Sequence, residues 1–215
     1  MKLSIRLQAI CDFLDKEDII SDIGTDHGLV PIYHVLNKKA SIAYACDVKI
    51  GPLDQAKKNI DYYGVNVITI LSNGIENISP DSNTLVIAGM GNNTIEQILT
   101  KDIAKLSNIN KIVVQSNTYS YTIRQLLNDL GYKLIAEKVV YDKHKYYEID
   151  CFIKGNEILT NKEIKYGKFN LLNKEKTFID KLKFDLETKK SIYDITKDKT
   201  LENDIKEIEE IIENK

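Results

Sequence analysis

The stretch Asp22-Ile23-Gly24-Thr25-Asp26-His27-Gly28 decides the fold predicted for this chain, because it joins an apolar segment to a segment with helical spacing. Glycines at such a junction let the backbone turn tightly and approach a ligand closely. The stretch departs from the G-x-G-x-x-G pattern of dinucleotide sites, since only Gly24 and Gly28 are glycine. It predicts a ligand-binding turn between a strand and a helix, with an ordinary turn as the alternative.

The acidic residues around this turn narrow the choice of ligand. Asp22 precedes the first glycine, and an acid there suits a ligand with a cation or hydroxyl groups better than a pyrophosphate. This favours S-adenosylmethionine over a dinucleotide. Asp47 ends the next predicted strand, 25 residues after Asp22. That is close to the ~20-residue spacing of the acid that binds ribose hydroxyls, although a helix N-cap or a surface acid would also explain Asp47.

Outward from the turn, short apolar runs alternate with amphipathic segments. The runs predict strands at 18–23, 41–46, 65–71, 84–88 and 111–115, and the segments predict helices at 3–14, 29–36, 51–63, 94–105 and 121–130. Such alternation is typical of βαβ units, so we expect an α/β protein with a mostly parallel, doubly wound sheet. Two longer runs at 132–141 and 146–153 predict a final antiparallel strand pair at one edge, which is unusual for dehydrogenases.

The character of the sequence changes after about Gly155. Apolar residues recur at helical spacing between 171 and 195 and again between 201 and 212, which predicts an antiparallel, coiled-coil-like helical hairpin. We therefore expect a catalytic domain at 1–155 and a helical domain at 156–215. The last segment is acidic, whereas the first half of the hairpin is rich in lysine: Lys162, Lys165, Lys168, Lys174, Lys176, Lys181, Lys183, Lys189 and Lys190. These lysines form either a solvated face or an RNA contact.

Composition excludes several classes of protein. The 215 residues have a formal charge of −2, so any nucleic-acid binding must come from a local patch. The three cysteines are far apart and form no C-x-x-C motif, so we expect neither a disulfide framework nor a metal site. No signal peptide and no apolar run of the ~20 residues that span a bilayer are evident. These features predict a cytoplasmic protein that does not bind membranes.

Further candidates follow the third and fourth predicted strands. The Asn73 side chain could pair with an adenine edge, although Asn73-Gly74 is equally explained as a plain β-turn. The run Ala88-Gly89-Met90-Gly91 is small enough to let a substrate reach a bound ligand, or it is simply a tight turn. Enzymes that methylate exocyclic amines commonly carry D/N-P-P-Y at this point. Its absence here mildly favours a ring nitrogen as the acceptor.

Asp26 and His27 form the candidate catalytic pair. Adjacent residues rarely act as a base and its orienting group, so Asp26 contacting the substrate or the ligand is the alternative. His34 and His144 are interpreted as ordinary helix and loop residues.

Together these motifs resemble the bacterial tRNA adenine N1-methyltransferase family that acts on adenine 22. The resemblance rests on the glycine turn with Pro31, on Asp47-Val48, Gly51-Pro52, Asn73-Gly74 and Ile87-Ala88-Gly89-Met90-Gly91, and on Tyr146-Tyr147-Glu148. It covers about residues 1–155, and the helical segment resembles that family's C-terminal appendage. It implies a Rossmann-like catalytic domain, S-adenosylmethionine as methyl donor and tRNA as substrate.

The resemblance also implies roles for individual residues. Asp22, Gly24 and Gly28 would line the methionine part of S-adenosylmethionine. Asp47 would bind its ribose, and Asn73 with Gly74 would bind its adenine. Ala88 and Gly89 would line the approach to its methyl group. Gly89, Met90 and Gly91 would border the target base, and Asn117 would contact the substrate. Arg6, Asp26 and His27 would face the RNA or the target adenine.

Two positions depart from the family pattern. Asn92 replaces a frequent glycine, and Ser116 replaces a frequent proline before Asn117, which could loosen that loop.

Three rival interpretations stay open. The chain could methylate a small molecule or a protein instead of tRNA. It could be a nicotinamide oxidoreductase, which the incomplete glycine pattern and the final strand pair disfavour. It could also be a non-catalytic RNA-binding module. No obligate protein partner is indicated, and we expect a monomer.

Overall fold

The computed structural model describes residues 1–118 and 120–213, and its centre is a seven-stranded sheet. The strands are β1 (Ile20–Ile23), β2 (Ala43–Asp47), β3 (Val67–Leu71), β4 (Thr84–Met90), β5 (Lys111–Ser116), β6 (Tyr132–Asp142) and β7 (Lys145–Lys154). Their order is β3-β2-β1-β4-β5-β7-β6. The first five strands are parallel, and β7 pairs antiparallel with both β5 and β6. The predicted α/β sheet with an inserted antiparallel strand is confirmed.

Helices connect the strands and follow them. They are α1 (Ile5–Asp12), α2 (Leu29–Tyr33), α3 (Ile50–Tyr63), α4 (Asn92–Lys101), α5 (Ser120–Asp129), α6 (Asn161–Tyr166), α7 (Lys168–Asn173), α8 (Lys176–Thr196) and α9 (Lys199–Glu213). Within the described ranges, no helix is both long and apolar enough to cross a membrane.

Two predicted boundaries differ from the structure at the site end of β4. The strand runs on to Met90, and α4 begins at Asn92 rather than at 94. The helix also stops at Lys101, because Asp102 leaves the helical region with φ −140°, and a 3-10 helix follows over Ile103–Asn108. The predicted 29–36 helix is likewise divided, since α2 passes into a π-helical segment, His34–Lys38.

The sheet is covered on both faces, as a doubly wound fold requires. Alternate residues of β4 point to opposite sides. Leu85 and Ile87 join the core beneath α4 and α5, whereas Val86 joins the core beneath α1, α2 and α3. The carboxyl ends of the parallel strands are therefore left open at one edge of the sheet, where ligands bind in such folds.

The C-terminal segment packs against β6 through a separate apolar cluster. Val139 of β6 contacts a group of buried side chains that includes Phe178 and Leu182 of α8 and Ile208 of α9. The predicted hairpin is formed by α8 and α9. The preceding residues form two short helices, because Gly167 at φ +91° interrupts the chain between α6 and α7.

A buried charge cluster also holds the helices on the sheet. The Arg124 guanidinium is fully buried and forms ion pairs with Glu137 at 2.8 Å, Glu148 at 2.7 Å and Asp150 at 3.1 Å. Lys181 of α8 lies 3.0 Å from Glu148. Burial raises the pKa of Asp150, whereas for Glu148 the two cations outweigh burial and hold its pKa at about 2. The sequence analysis did not identify this cluster.

Candidate active site

The loops after β1, β2, β3 and β4 surround a cleft of about 840 Å³ at the carboxyl edge of the sheet. Its walls include Gly24, Thr25 and Asp26 from the first loop, Asp47 from the second, Asn73 and Gly74 from the third, and Met90 from the fourth. The parallel topology brings these side chains together although they are far apart in sequence. The predicted ligand site is therefore one continuous cleft in the structure.

The first loop is shaped by its glycine. The backbone N–H groups of Gly24 and Thr25 both donate to the Cys46 carbonyl, at 2.8 and 2.9 Å, which ties the loop to the end of β2. Gly24 has φ +72°, and a Cβ atom there would lie 2.0 Å from the Cε atom of Met90. A side chain at position 24 would thus be strained and would press on the opposite wall of the cleft.

Asp22 lies beneath this loop rather than on the cleft wall. It is buried in β1, and its carboxylate accepts a hydrogen bond from Thr25 Oγ1 at 2.7 Å. Burial raises the pKa of Asp22 to about 6. Its predicted contact with the methionine part of a ligand stays a prediction, and the geometry places its charge directly behind the Gly24–Asp26 backbone.

Asp47 and Asn73 stand where strands β2 and β3 end. The Asp47 carboxylate accepts the backbone N–H of Lys49 at 2.7 Å, which leaves its second oxygen for a further donor. The Asn73 amide donates to Glu76 at 3.3 Å. Next to it, Gly74 has φ +64°, and a Cβ there would lie 3.2 Å from Ile98. Both polar side chains line the cleft as the sequence predicts.

Asp26 and His27 lie at the rim of the cleft. Nε2 of His27 is 3.1 Å from Oδ1 of Asp26, and both side chains are well exposed, at 50% and 86%. His27 itself has φ +61°, and its carbonyl accepts from Asn59 of α3 at 2.8 Å, so its backbone is fixed. The pair forms a polar site open to a large substrate, while its catalytic role stays a prediction.

The wall on the other side of β4 is held by a hydrogen-bond network. Oε1 of Gln115 accepts from Arg6 Nη1 at 2.6 Å and from the Gly89 N–H at 3.2 Å, while Nε2 of Gln115 donates to Asn117 at 3.0 Å. Asn117 returns to β4 by donating to the Gly89 carbonyl at 2.6 Å and the Met90 carbonyl at 2.7 Å. Four of the predicted site residues, Arg6, Gly89, Met90 and Asn117, therefore form one unit with Gln115, which the sequence analysis did not single out.

The Arg6 side chain also contacts the ring of Tyr147, with 5.4 Å between the guanidinium carbon and the ring centroid. A Cβ at Gly89, which has φ +79°, would lie 3.4 Å from Arg6 Nη1. The N-terminal helix is thereby held directly beside the end of β4.

The two residues that depart from the family pattern both contact Thr118 of the loop after β5. Asn92 donates its backbone N–H to Thr118 Oγ1 at 2.9 Å and accepts from the same hydroxyl at 2.7 Å. Ser116 Oγ accepts the Thr118 N–H at 3.2 Å. The loop after β5 is thus tied to the start of α4, and the expected loosening near Asn117 stays a prediction.

The remaining predicted residues have structural surroundings. Gly28 begins α2 at φ +66°, and a Cβ there would lie 3.2 Å from the Cβ of Ala56, so it permits α2 to approach α3. Ala88 packs against the core on the α1–α3 side of the sheet. Gly91 precedes α4 and accepts from Thr94 and Ile95. Their predicted contacts with ligand or substrate stay predictions.

Acidic residues of the protein itself form ion pairs with most of the nine lysines of the C-terminal helices. Lys165 and Lys189 share Asp204 of α9, each at 2.6 Å, and Lys181 pairs with Asp185 at 2.6 Å. Lys162, Lys168, Lys176 and Lys190 also pair with carboxylates, and Lys174 donates to the Ile211 carbonyl. Lys183 alone of the nine shows no such bond to a described residue. Part of the split between a basic and an acidic half thus reflects ion pairs of α6 and α8 with α9, and an RNA contact of these lysines stays a prediction.

The residues of the cleft fit S-adenosylmethionine. The positive φ of Gly24 and the space in front of it leave room that a side chain would fill. Carboxylates stand at two places along the cleft, Asp47 and Asp26, and suit a ligand that carries hydroxyls and cationic groups.

Comparison with known proteins agrees with this geometry. Residues 3–149 match the family model described as a methyltransferase domain. The chain is 31% identical over 203 residues to the Bacillus subtilis (strain 168) tRNA (adenine(22)-N(1))-methyltransferase, covering 90% of this chain and 85% of that protein.

Two solved structures are similar over nearly the whole chain. M. capricolum TrmK in complex with S-adenosyl-homocysteine is 31% identical, with a TM-score of 0.87 over 99% of this chain and 98% of that one. Streptococcus pneumoniae Sp1610 in complex with S-adenosyl-L-methionine is 27% identical, with a TM-score of 0.92 over 98% of this chain and all of that one. Because the family model covers most of the chain and the curated relative is 31% identical over 90% of it, the chain belongs to the family of tRNA (adenine(22)-N(1))-methyltransferases.

Proposed function

We propose that this protein transfers a methyl group from S-adenosylmethionine to N1 of adenine 22 in tRNA. The observation that carries the proposal is the 31% identity to a tRNA (adenine(22)-N(1))-methyltransferase over 90% of the chain. The open cleft at the carboxyl edge of the sheet, between Gly24 and Met90, supports it.

S-adenosylmethionine, when bound, supplies a methyl group that its sulfonium sulfur already activates. The protein therefore needs mainly to bind and orient the two reactants, and proximity and orientation can contribute up to roughly 7–11 kcal/mol of barrier lowering. Asp47 would accept hydrogen bonds from the ribose, and Asn73 would pair with the adenine of the methyl donor. The buried carboxylate of Asp22 would favour the cationic end of the ligand.

The target adenine must leave its stack, because N1 lies on the Watson–Crick edge. Unstacking costs about a few kcal/mol, which contacts in the pocket must offset. Gly91, where a Cβ atom would meet nothing within 4 Å, leaves space beside Met90 for a planar base, and the Gln115 network fixes that wall. Methylation at N1 gives a cationic ring, and Asp26 at the cleft rim is the candidate group to stabilise that charge.

Methyl transfer from labelled S-adenosylmethionine to an unmodified tRNA transcript tests the proposal, followed by nucleoside analysis. We expect 1-methyladenosine that disappears when adenine 22 is replaced. Incorporation without RNA would favour a small-molecule or protein acceptor. Binding of tRNA without any transfer would favour a non-catalytic RNA-binding role, and binding of NADH in place of S-adenosylmethionine would favour an oxidoreductase.

Two further expectations accompany this proposal. We propose that the protein acts in the cytoplasm, where a tRNA substrate would be available. We also propose that it acts as a monomer without an obligate protein partner, which sedimentation velocity of the purified protein would test.

A further inference from the structure

The turn between β6 and β7 projects above the carboxyl edge of the sheet. Asp150 of β7 pairs with Val114 of β5, so the antiparallel register places position 148 opposite Ser116, where β5 ends. Strand β7 begins three residues earlier, at Lys145. At about 3.3 Å per residue, the turn extends roughly 10 Å beyond the end of β5. This is the same edge at which the candidate active site opens.

The turn consists of two residues, Lys143 and His144, with φ +47° and +65°. Two-residue hairpin loops with positive φ at both positions are best made by Asn-Gly or Asp-Gly. Lys143 instead places a Cβ atom in the left-handed region, which is strained for a long side chain. The turn therefore presents two long polar side chains where the preferred Asn-Gly pair would present one short side chain.

The polar side chains of this turn are unpaired within the part of the chain that the structure describes, unlike most lysines of the helical hairpin. Lys143, His144 and Lys145 are all exposed, and none makes a salt bridge or side-chain hydrogen bond to a described residue. Beside them the exposed ring of Tyr141 packs on Tyr146, with centroids 4.8 Å apart. Free cations next to an aromatic platform fit a nucleic-acid strand, because the cations attract phosphates and the ring offers a stacking surface.

The turn is also connected to the active-site wall. Asp142, the last residue of β6, accepts the backbone N–H of Arg6 at 3.1 Å, and Arg6 reaches Gln115 and Gly89. A second cleft, of about 1080 Å³, runs from Asn117 past His144 and Lys145 to α8. An RNA strand held at the turn would therefore lie next to the place proposed for the target base.

We propose that the β6–β7 turn, Lys143-His144-Lys145 with Tyr141, binds the phosphodiester backbone of the substrate RNA beside the target nucleotide. This inference rests on the proposed function, since it assigns a contact surface for the same substrate. It adds the two lysines of the turn to the predicted RNA contact of the hairpin lysines, most of which pair with carboxylates of the protein itself.

The test variant is Lys143→Asn/His144→Gly/Lys145→Gln. It installs the preferred Asn-Gly turn, so we expect its unfolding midpoint to equal or exceed that of the wild type. The matched control, Lys16→Gln/Lys105→Gln, also removes two lysine charges, but at exposed positions near the amino ends of β1 and β5. Binding to a tRNA transcript is measured at several salt concentrations with S-adenosyl-homocysteine present, and steady-state methyl transfer is measured alongside.

For the triple variant we expect roughly tenfold weaker tRNA binding at low salt. The slope of the logarithm of the binding constant against the logarithm of the salt concentration should be smaller in magnitude by about 1–2, because two phosphate contacts are lost. The KM for tRNA should rise while kcat stays within about twofold, and the control should match the wild type. Unchanged binding of the triple variant, or an equal loss in the control, overturns the inference. If the triple variant does not fold, Lys145→Glu on the regular strand provides the same comparison. A wild-type protein that binds no tRNA would instead overturn the proposed function itself.

Discussion

Gln115 and Arg6 are joined by a 2.6 Å hydrogen bond between Oε1 of the glutamine and Nη1 of the arginine, although 109 positions separate them in sequence. The Gln115 side chain is fully buried, and the same oxygen accepts the Gly89 N–H. One amide thus fixes the N-terminal helix, the end of β4 and, through Asn117, the loop after β5. These are the three elements that border the proposed position of the target base.

Replacing Gln115 should therefore damage turnover more than donor binding. In Gln115→Ala, Arg6 and the Gly89 peptide lose their shared acceptor, and a displacement on the order of 1 Å can lower the rate roughly 100-fold. We expect kcat to fall on that scale, while the dissociation constant of S-adenosylmethionine changes by less than about twofold. Steady-state methylation and calorimetry measure the two quantities.

Two further variants separate positioning from general destabilisation. Gln115→Glu keeps the acceptor for Arg6 and Gly89 and should recover part of the rate. Asn66→Ala removes a comparable amide bond, from Asn66 to the Ser41 carbonyl near the amino ends of the strands, and should leave kcat unchanged. A Gln115→Ala enzyme with wild-type kcat would refute the positioning role.

The sequence predicts the parts of the site that follow local rules. Asp47 and Asn73 are recognisable because they directly follow apolar strands, and parallel topology then brings them into one cleft. No local sequence pattern identifies Gln115, because it lies inside an apolar strand. Its structural role depends on a hydrogen bond to Arg6, which is distant in sequence. The role of Arg124 could not be predicted for the same reason. Helical spacing in the sequence predicts α5, but it does not show that Arg124 of this helix pairs with three carboxylates from β6 and β7.

Asp22→Asn should stabilise the protein in a pH-dependent way. Burial raises the pKa of this carboxyl group from 3.8 to about 6, so the folded protein holds the proton more tightly than the unfolded chain. The resulting penalty on folding is fully present above about pH 6 and disappears as the pH falls towards about 4. Asparagine keeps an acceptor for Thr25 Oγ1, so unfolding at about pH 8 should require up to about 3 kcal/mol more free energy.

Urea denaturation of wild type and Asp22→Asn at several pH values measures this difference. The difference in the free energy of unfolding between the two proteins should be largest at about pH 8 and should disappear towards about pH 4. A gap that is constant across this range would show that the buried charge is not its cause. We also expect weaker binding of S-adenosylmethionine by the variant, because the negative charge behind the first loop is lost.

Arg124→Leu should loosen the helical domain from the sheet. The substitution leaves Glu137, Glu148 and Asp150 without their shared cation, and an uncompensated buried charge typically destabilises by about 3–5 kcal/mol. Glu148 would still form its ion pair with Lys181. Hydrogen exchange should therefore accelerate in α6 and α8 more than in β1 and β4, and Arg124→Lys should be intermediate. Uniform acceleration across the chain would contradict a local docking role.

Asp26 offers the most direct test of the chemistry. Its carboxylate lies at the exposed rim, so solvent screening limits its effect on a cationic product, and we expect kcat to fall about tenfold in Asp26→Ala and Asp26→Asn. Single-turnover methylation at saturating tRNA measures this step. Asp61→Ala, which removes an exposed acid from α3, should have no effect.

His27→Gln tests the partner of Asp26, because a rate loss equal to that of Asp26→Ala would indicate that the two residues act as a unit. Wild-type turnover in both Asp26 variants would remove Asp26 from the mechanism and leave orientation by the Gln115 network as the main contribution of the protein.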